Sequence, residues 1–416
     1  MRKVRWAGWT MAVATALAVT GGQAALADIA SDKPAALLVY AKVKVGNEIN
    51  TVLRMTNTNT AASVTAHCFY TNANQHCSKD GKICVGFEDA PFEGAAASNT
   101  LSCAAVGGSC VQGWVETDFW IVLTPGQPIQ WSARDGMAEP PIPRGHCQRD
   151  VRRACGTDED CNPFPGGPCL PSNVGTRIPP VAEVPYTGEL RCVVVDEDGN
   201  PAPDNILKGE ALIFNQRATA GGLDVASYNA IGIQATGNFA PPDNELVLGP
   251  GSEGEYNGCP NYVILDHFFD SAIDPVERSG NNTVINTSLT LIPCSADYLR
   301  QVGGVAVVQY LVFNEFEQRF STSRPFQCYS ELSLSSIDTI QASNSIFNVG
   351  VAGTLTGQTR LNSVIDPTGQ VDLSGILAVA VQRHTTSVAG VPVTKTGGFN
   401  TDMAGTRAAS DSIWLP

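Results

Sequence analysis

The sequence predicts an all-β fold: two antiparallel β-sandwich domains related by an internal repeat, the first enlarged by disulfide-rich insertions. Three observations carry this expectation. First, the segment 187–213, TGELRCVVVDEDGNPAPDNILKGEALI, returns at 356–381 as TGQTRLNSVIDPTGQVDLSGILAVAV. Both copies open with Thr-Gly, place an Arg three residues later (Arg191, Arg360) and reach an Asp followed by a Gly (Asp196 and Gly199, Asp366 and Gly369). Both resume at Leu-x-Gly and enter a second apolar run, which reads as a hairpin built twice. Second, short apolar runs, several alternating with polar residues, are separated by Asn, Gly and Pro turns. Third, charged residues are only 16 % of the chain while Gly (40) and Pro (26) are abundant, as in an exported β protein with long turns.

The chain opens MRKVRWAGWTMAVATALAVTGGQAALA. Arg2, Lys3 and Arg5 precede a mostly apolar stretch, and Ala25-Leu26-Ala27 fits a small-x-small cleavage site, so residues 1–27 read as a secretory signal peptide. The apolar stretch is short for a membrane anchor of roughly 20 residues. No Cys follows the cut to take a lipid, and no later stretch is apolar enough to span a membrane. Export to the periplasm, the cell surface or the medium is expected, with no membrane span after cleavage. Cleavage removes three bases and no acid, leaving 23 basic against 40 acidic residues, a formal charge of −17. That charge disfavours nucleic acid and anionic lipid as partners, which leaves an extracellular protein or a glycan.

In chain order, 35–45 (AALLVYAKVKV) is a first strand. Residues 51–55 and 62–70 flank Asn57-Thr58-Asn59-Thr60, a second hairpin signal. Its later counterpart is 307–313, turning at Asn314 and returning to Cys328-Tyr329 as the first returns to Cys68-Phe69. The stretch 114–131, WVETDFWIVLTPGQPIQW, reads as another hairpin about Pro125-Gly126, and 224–235 as a further strand. Residues 237–258, rich in Gly, Pro and acids, read as a linker. The domains are then 28–240 and 241–416, and the polar tail after Gly397 is expected on the surface.

Thirteen cysteines in an exported chain imply disulfides, and the odd count leaves at least one thiol unpaired. Cys68 lies 119 residues before Thr187, whereas Cys328 lies 28 before Thr356, so the first domain carries the insertions. One, at 77–110, holds Cys77, Cys84, Cys103 and Cys110; the other, at 137–180, holds Cys147, Cys155, Cys161 and Cys169. With Cys259 and Cys294, plausible partners flanking the entry to the second domain, these are the disulfide candidates. Neither insertion has enough apolar residues for a core, so bridges must order it, each worth about 2–4 kcal/mol.

Acidic residues between two bridged cysteines could offer oxygens to Ca²⁺, which makes Asp158 and Asp160 candidate ligands; the simpler reading is a solvated acidic turn. His67, His76 and His146 each precede a cysteine, but no C-x2-C or H-x3-H spacing accompanies them, and disulfides explain those cysteines better than zinc. The cluster Asp266, His267, Asp270, Ser271 and Asp274 gathers catalytic residue types, yet triad members normally converge from separate loops. It reads as a short helix or loop with its acidic face in water. Asp196-Glu197-Asp198-Gly199-Asn200 is a turn, since its repeat at Asp366 keeps one carboxylate and Leu207 stands where a calcium loop needs its last acid. Trp114, Phe119, Trp120 and Trp131 would stack sugars if they faced outward; alternation puts Phe119 and Trp120 on opposite faces, so one of them is a candidate for exposure. No nucleophile-elbow, zincin, P-loop or dinucleotide motif stands in a supporting context.

Cys155-Gly156-Thr157-Asp158-Glu159-Asp160-Cys161 has the form C-x-x-D-x-D-C and resembles small disulfide modules of exported bacterial proteins. More broadly, ETDFWIVLTPGQPIQW, TGELRC and NEFEQRFSTSRPFQC are similar to functionally uncharacterised exported bacterial β-sandwich proteins. The resemblance implies the compartment and the β-fold, and no activity; the sandwiches themselves are expected to be immunoglobulin-like. The reading is a non-enzymatic structural, surface or adhesion-type protein with loops as its binding surface, without a cofactor unless Ca²⁺ occupies Asp158 and Asp160. The alternative is a carbohydrate-binding module or carbohydrate-active enzyme with dispersed carboxylates beside an exposed Trp.

Overall fold

The computed structural model describes residues 29–416 except 86–102, 113, 138–144, 148–149, 156, 162–166, 171–177, 220–221, 239–242, 251–253, 277–279, 281, 367 and 369–370. The predicted signal segment therefore lies outside the described residues. The chain is nearly all β, in several mostly antiparallel sheets. Its framework strands are numbered here in chain order. In the first half they are Leu37–Val45 (β1), Ile49–Asn57 (β2), Val64–Asn72 (β3), Val115–Leu123 (β4), Pro128–Ser132 (β5), Tyr186–Val195 (β6), Leu207–Thr219 (β7), Gly222–Asn229 (β8) and Ile231–Ile233 (β9). In the second half they are Pro260–Phe268 (β10), Val284–Pro293 (β11), Val305–Asn314 (β12), Arg319–Gln327 (β13), Ser330–Ser333 (β14), Thr356–Ser363 (β15), Ile376–Val388 (β16), Val391–Asn400 (β17) and Asp402–Thr406 (β18).

The first half forms one sheet in the order β9-β1-β6-β3-β4 and another in the order β8-β7-β2-β5. The second half forms β18-β10-β15-β12-β13 and β17-β16-β11-β14. Each strand of the second half thus holds the place of the strand nine numbers below it. The Thr-Gly segments become β6 and β15, the central strands of equivalent sheets. The order differs from the immunoglobulin pattern, in which the first two strands share a sheet. Here β1 pairs with β6, while β2 pairs with β7 in the other sheet.

Several segments expected to be hairpins are links between sheets. β2 and β3, β4 and β5, β6 and β7, and β15 and β16 each fall in different sheets. Asn, Gly and Pro encode a chain reversal; they do not encode which strand the returning segment will pair with. True hairpins occur at β7–β8, β12–β13 and β16–β17. The Cys68–Cys328 correspondence also fails, because Cys68 lies within β3 whereas Cys328 follows β13.

Strands β1 and β6 are buried along their whole length, so both faces of their sheet are covered. The inner face meets the β8-β7-β2-β5 sheet: the Tyr40 hydroxyl donates to the carbonyl of Arg54, and the Trp131 indole donates to Tyr70 Oη. The outer face meets the second half, and it is charged. Lys42 and Lys44 reach Glu331 Oε1 at 2.8 and 2.9 Å, and the Tyr329 hydroxyl donates to Glu331 Oε2. Arg191 pairs with Glu189 and donates to the carbonyls of Cys294 and Pro293 at 2.7 and 2.6 Å. Phe69 stacks on Tyr298 at 4.3 Å. Accordingly, one hydrophobic cluster runs from Ile29 through the first half to Leu415, and a second lies within the β10–β18 sheets.

A further sheet joins Glu245–Gly249 and Tyr256–Asn257 to Ala296–Asp297, Val302–Gly303 and the terminal strand Asp411–Trp414. Much of the predicted linker is therefore structured, because Leu246 and Leu248 alternate into the core. The tail is not a surface appendage either: β18 pairs with β10, and Ile413, Leu415 and Arg407 are buried.

Disulfides join Cys77 to Cys103, Cys147 to Cys161, Cys155 to Cys169 and Cys259 to Cys294, and Cys110 is also bridged. The side chain of Cys84 lies outside the described residues. Cys68 and Cys192, not among the candidates, form a bridge between directly opposed residues of β3 and β6. Cys328 is free and buried, and burial pushes its thiol up to about 12. These bridges are consistent with an oxidising, exported environment. No helix among the described residues is long and apolar enough to cross a membrane.

Breaking a buried charge network from one side leaves an uncompensated charge. Glu331→Gln should lower stability by about 3–5 kcal/mol in chemical denaturation. Burial pushes the Lys42 amine down from 10.5 to about 7 despite the pull of Glu331. Between those values the unfolded chain binds more protons than the folded one, so stability should rise as pH rises from 7 towards 9. The rise should be smaller in Lys42→Met, read as denaturation midpoint against pH.

Candidate functional site

Cover by the second half ends at β4, and there the outer face of the sheet emerges with an unusual set of side chains. Alternation along β4 sends Glu116, Asp118 and Trp120 outward and Phe119 and Ile121 into the core. Opposite them on β3 stand Thr71, Phe69 and His67. Trp120 is 41 % exposed, although an indole is the side chain with most to gain from burial. One face is occupied by His67, stacked at 4.1 Å and 14°, and the His67 imidazole meets Asp118 Oδ2 at 3.0 Å. Burial keeps His67 below its usual pKa despite Asp118, favouring a neutral ring. Indole, imidazole and carboxylate thus fix one another.

Glu116 is the unsatisfied member. Its Oε2 is buried without a hydrogen-bond partner, and burial together with Asp118 raises its carboxyl to about 7. Beside the edge of the Trp120 ring lies the turn 196–200. Asp196 accepts the backbone N–H of Asp198 and Asn200 there, and a Cβ on Gly199 would come 3.1 Å from the indole ring. Gly199 has φ of +91°, which suits glycine to both the turn and the close approach. Of the aromatic residues proposed for sugar stacking, only Trp120 is exposed; Trp114, Phe119 and Trp131 are buried.

The cluster around His267 is placed differently from the expected helix or loop, since Asp266 and His267 lie on strand β10. They border a cleft of about 560 Å³, lined also by Phe313, Glu315, Gln358 and Phe399. His267 is buried, with Nδ1 at the Phe268 carbonyl and Nε2 2.8 Å from Thr359 Oγ1. Asp270 accepts from the backbone of Thr287 and Ser335 and from the Ser333 hydroxyl, while Asp274 meets His384. Asp266 accepts from Gln358 and Glu315 from Thr356. These groups serve separate structural bonds and make no nucleophile–base pair with one another.

In the second insertion, Asp158 is exposed at the start of the 3-10 turn Asp158–Cys161, and its Oδ1 accepts the N–H of Cys169 at 2.7 Å. It ties the turn to the next strand. The side chain of Asp160 lies outside the described residues, as does that of His146. His76 meets Glu183, which also accepts from Asn72 and Asn74, so this histidine anchors the first insertion to the end of β3. No known protein family matches the chain, and no curated protein is similar to it in sequence.

The Glu116 carboxyl should titrate near pH 7 by ¹³C NMR, and its midpoint should fall in Asp118→Asn. A raised carboxyl binds more protons in the folded state between 4.5 and about 7, so it lowers stability as pH rises through that window. Glu116→Gln should flatten that part of the stability profile.

Proposed function

We propose that this is an exported, non-enzymatic surface or adhesion-type protein: two β-sandwich units arising by duplication, spanning 28–240 and 241–416, that act as one rigid body displaying a binding surface. The observation that carries the reading is the use of interior charge. Lys42, Lys44, Glu331, Glu189 and Arg191 are buried between the halves and paired in two sets, the lysines with Glu331 and Arg191 with Glu189. Asp411 accepts from Ser295, Ser374 and Gly375. Asp224 accepts from Thr396 of β17 and Asn229 bonds Asn400, so contacts between halves recur at several places. Such groups stiffen a scaffold; they do not line a reaction centre. Disulfides cross-link both insertions of the first unit.

A carbohydrate-binding or carbohydrate-active role is the second reading, favoured by the exposed indole of Trp120 beside Glu116 and Asp118. One assay separates the two. The purified protein should sediment with cell-envelope fractions and leave a panel of polysaccharide, ester and peptide substrates unchanged. Turnover that disappears in Glu116→Gln or Asp118→Asn would establish an enzyme instead, and absence of any envelope retention would count against display.

A further inference from the structure

We infer that the rim formed by Glu116, Asp118, Trp120 and the turn 196–200 is a seat for the lysine or arginine side chains of an extended basic polypeptide. The inference deepens the display reading by assigning its contact surface and partner.

The indole is pre-positioned. His67 fills one face and is itself held by Asp118, so little side-chain freedom is lost when a ligand takes the exposed part. Several carboxylates stand beside it. Glu116 and Asp118 stand in the same outward row, and Asp196, Glu197 and Asp198 are exposed in the turn that touches the indole through Gly199. Glu116 keeps one buried oxygen unpaired, so a donor brought by a ligand would satisfy that atom. Ammonium and guanidinium groups are attracted both to carboxylates and to an indole face. The whole chain, at −14, adds long-range attraction for a basic partner.

The second half supplies an internal comparison. Strand β13 holds the place of β4, yet its outward row carries Ser321, Ser323 and Pro325. The framework therefore does not require an aromatic and two acids at this position. Alternate residues of a strand lie roughly 6.6 Å apart, so Glu116, Asp118 and Trp120 match the spacing of alternate side chains on an extended peptide. A single small amine would engage one of these positions. A calcium ion takes 6–8 oxygens, whereas Asp118 already gives one to His67. A neutral glycan would use the indole but not the charge.

The test titrates the full-length oxidised protein with the peptide acetyl-(Lys-Thr)4-amide by calorimetry, beside acetyl-(Glu-Thr)4-amide, cellohexaose and butylammonium chloride. The lysine peptide should bind, weaken with added salt, and lose at least tenfold in affinity in Trp120→Ala and in the exposed double variant Glu197→Gln/Asp198→Asn. Ser323→Ala, on the equivalent strand of the second half, should bind as the parent does, and melting temperatures should confirm that the turn variants fold. No binding of the lysine peptide, equal binding by Trp120→Ala and the turn variant, or preferential binding of cellohexaose would overturn the assignment, as would butylammonium binding as tightly as the peptide. Envelope retention that persists in Trp120→Ala would sink the patch and leave the display reading intact; loss of retention by the parent protein would strike the display reading itself.

Discussion

The outer face of the β9-β1-β6-β3-β4 sheet is charged where it is buried, and the architecture depends on that contradiction being resolved. Lys42 and Lys44 on β1, and Glu189 and Arg191 on β6, lie within 3 % of full burial. Taking such groups out of water costs several kcal/mol per ion, returned only when partners and geometry are complete. The second half completes them through Glu331, the Tyr329 hydroxyl's bond to it, and the carbonyls of Pro293 and Cys294. Apolar faces would have packed in many registers; a fixed set of charges and acceptors accepts one. Glu331 shows the balance: burial alone would raise its carboxyl, and the two lysines hold it well below the usual range instead.

That arrangement sorts the remaining features. Cys68–Cys192 locks two adjacent strands of the covered sheet, while Cys77–Cys103, Cys147–Cys161 and Cys155–Cys169 cross-link insertions whose described residues bury little besides the bridges themselves. The turn that follows Ala296–Asp297, a strand of the sheet holding the terminal strand, contributes Tyr298 to the face of Phe69. Where this cover stops, Trp120 and Asp118 are exposed and Glu116 is half-buried. The proposed binding surface is thus an edge condition of the interface: the outward rows covered on β6 and β3 become accessible on β4.

The all-β class was legible in the sequence because strand periodicity and turn chemistry are local. The same locality explains the errors. Asp196–Asn200 announces a reversal whether β7 returns beside β6 or crosses to the other sheet, so links were read as hairpins. Leu246, Leu248 and Ile413 sit in short runs whose burial depends on distant partners, and these runs read as linker and tail. Cys68 and Cys192 are 124 residues apart, and no spacing rule connects them. At the candidate site, the alternation of Phe119 and Trp120 was visible. The carboxylates were not singled out, because Glu116 and Asp118 gain meaning only from the sheet that places His67 beside them and the cover that ends there. Lys42 and Lys44, written into an apolar run as LLVYAKVKV, were the available hint that the first strand meets a polar partner.

The central claim is that the charged interface makes both halves one cooperative body. Scanning calorimetry of the oxidised full-length protein tests it most directly. One transition is expected, with van't Hoff and calorimetric enthalpies in agreement, displaced as a whole to lower temperature in Glu331→Gln. Two resolved transitions, one of them unmoved by that substitution, would show that the halves stand independently and contradict it.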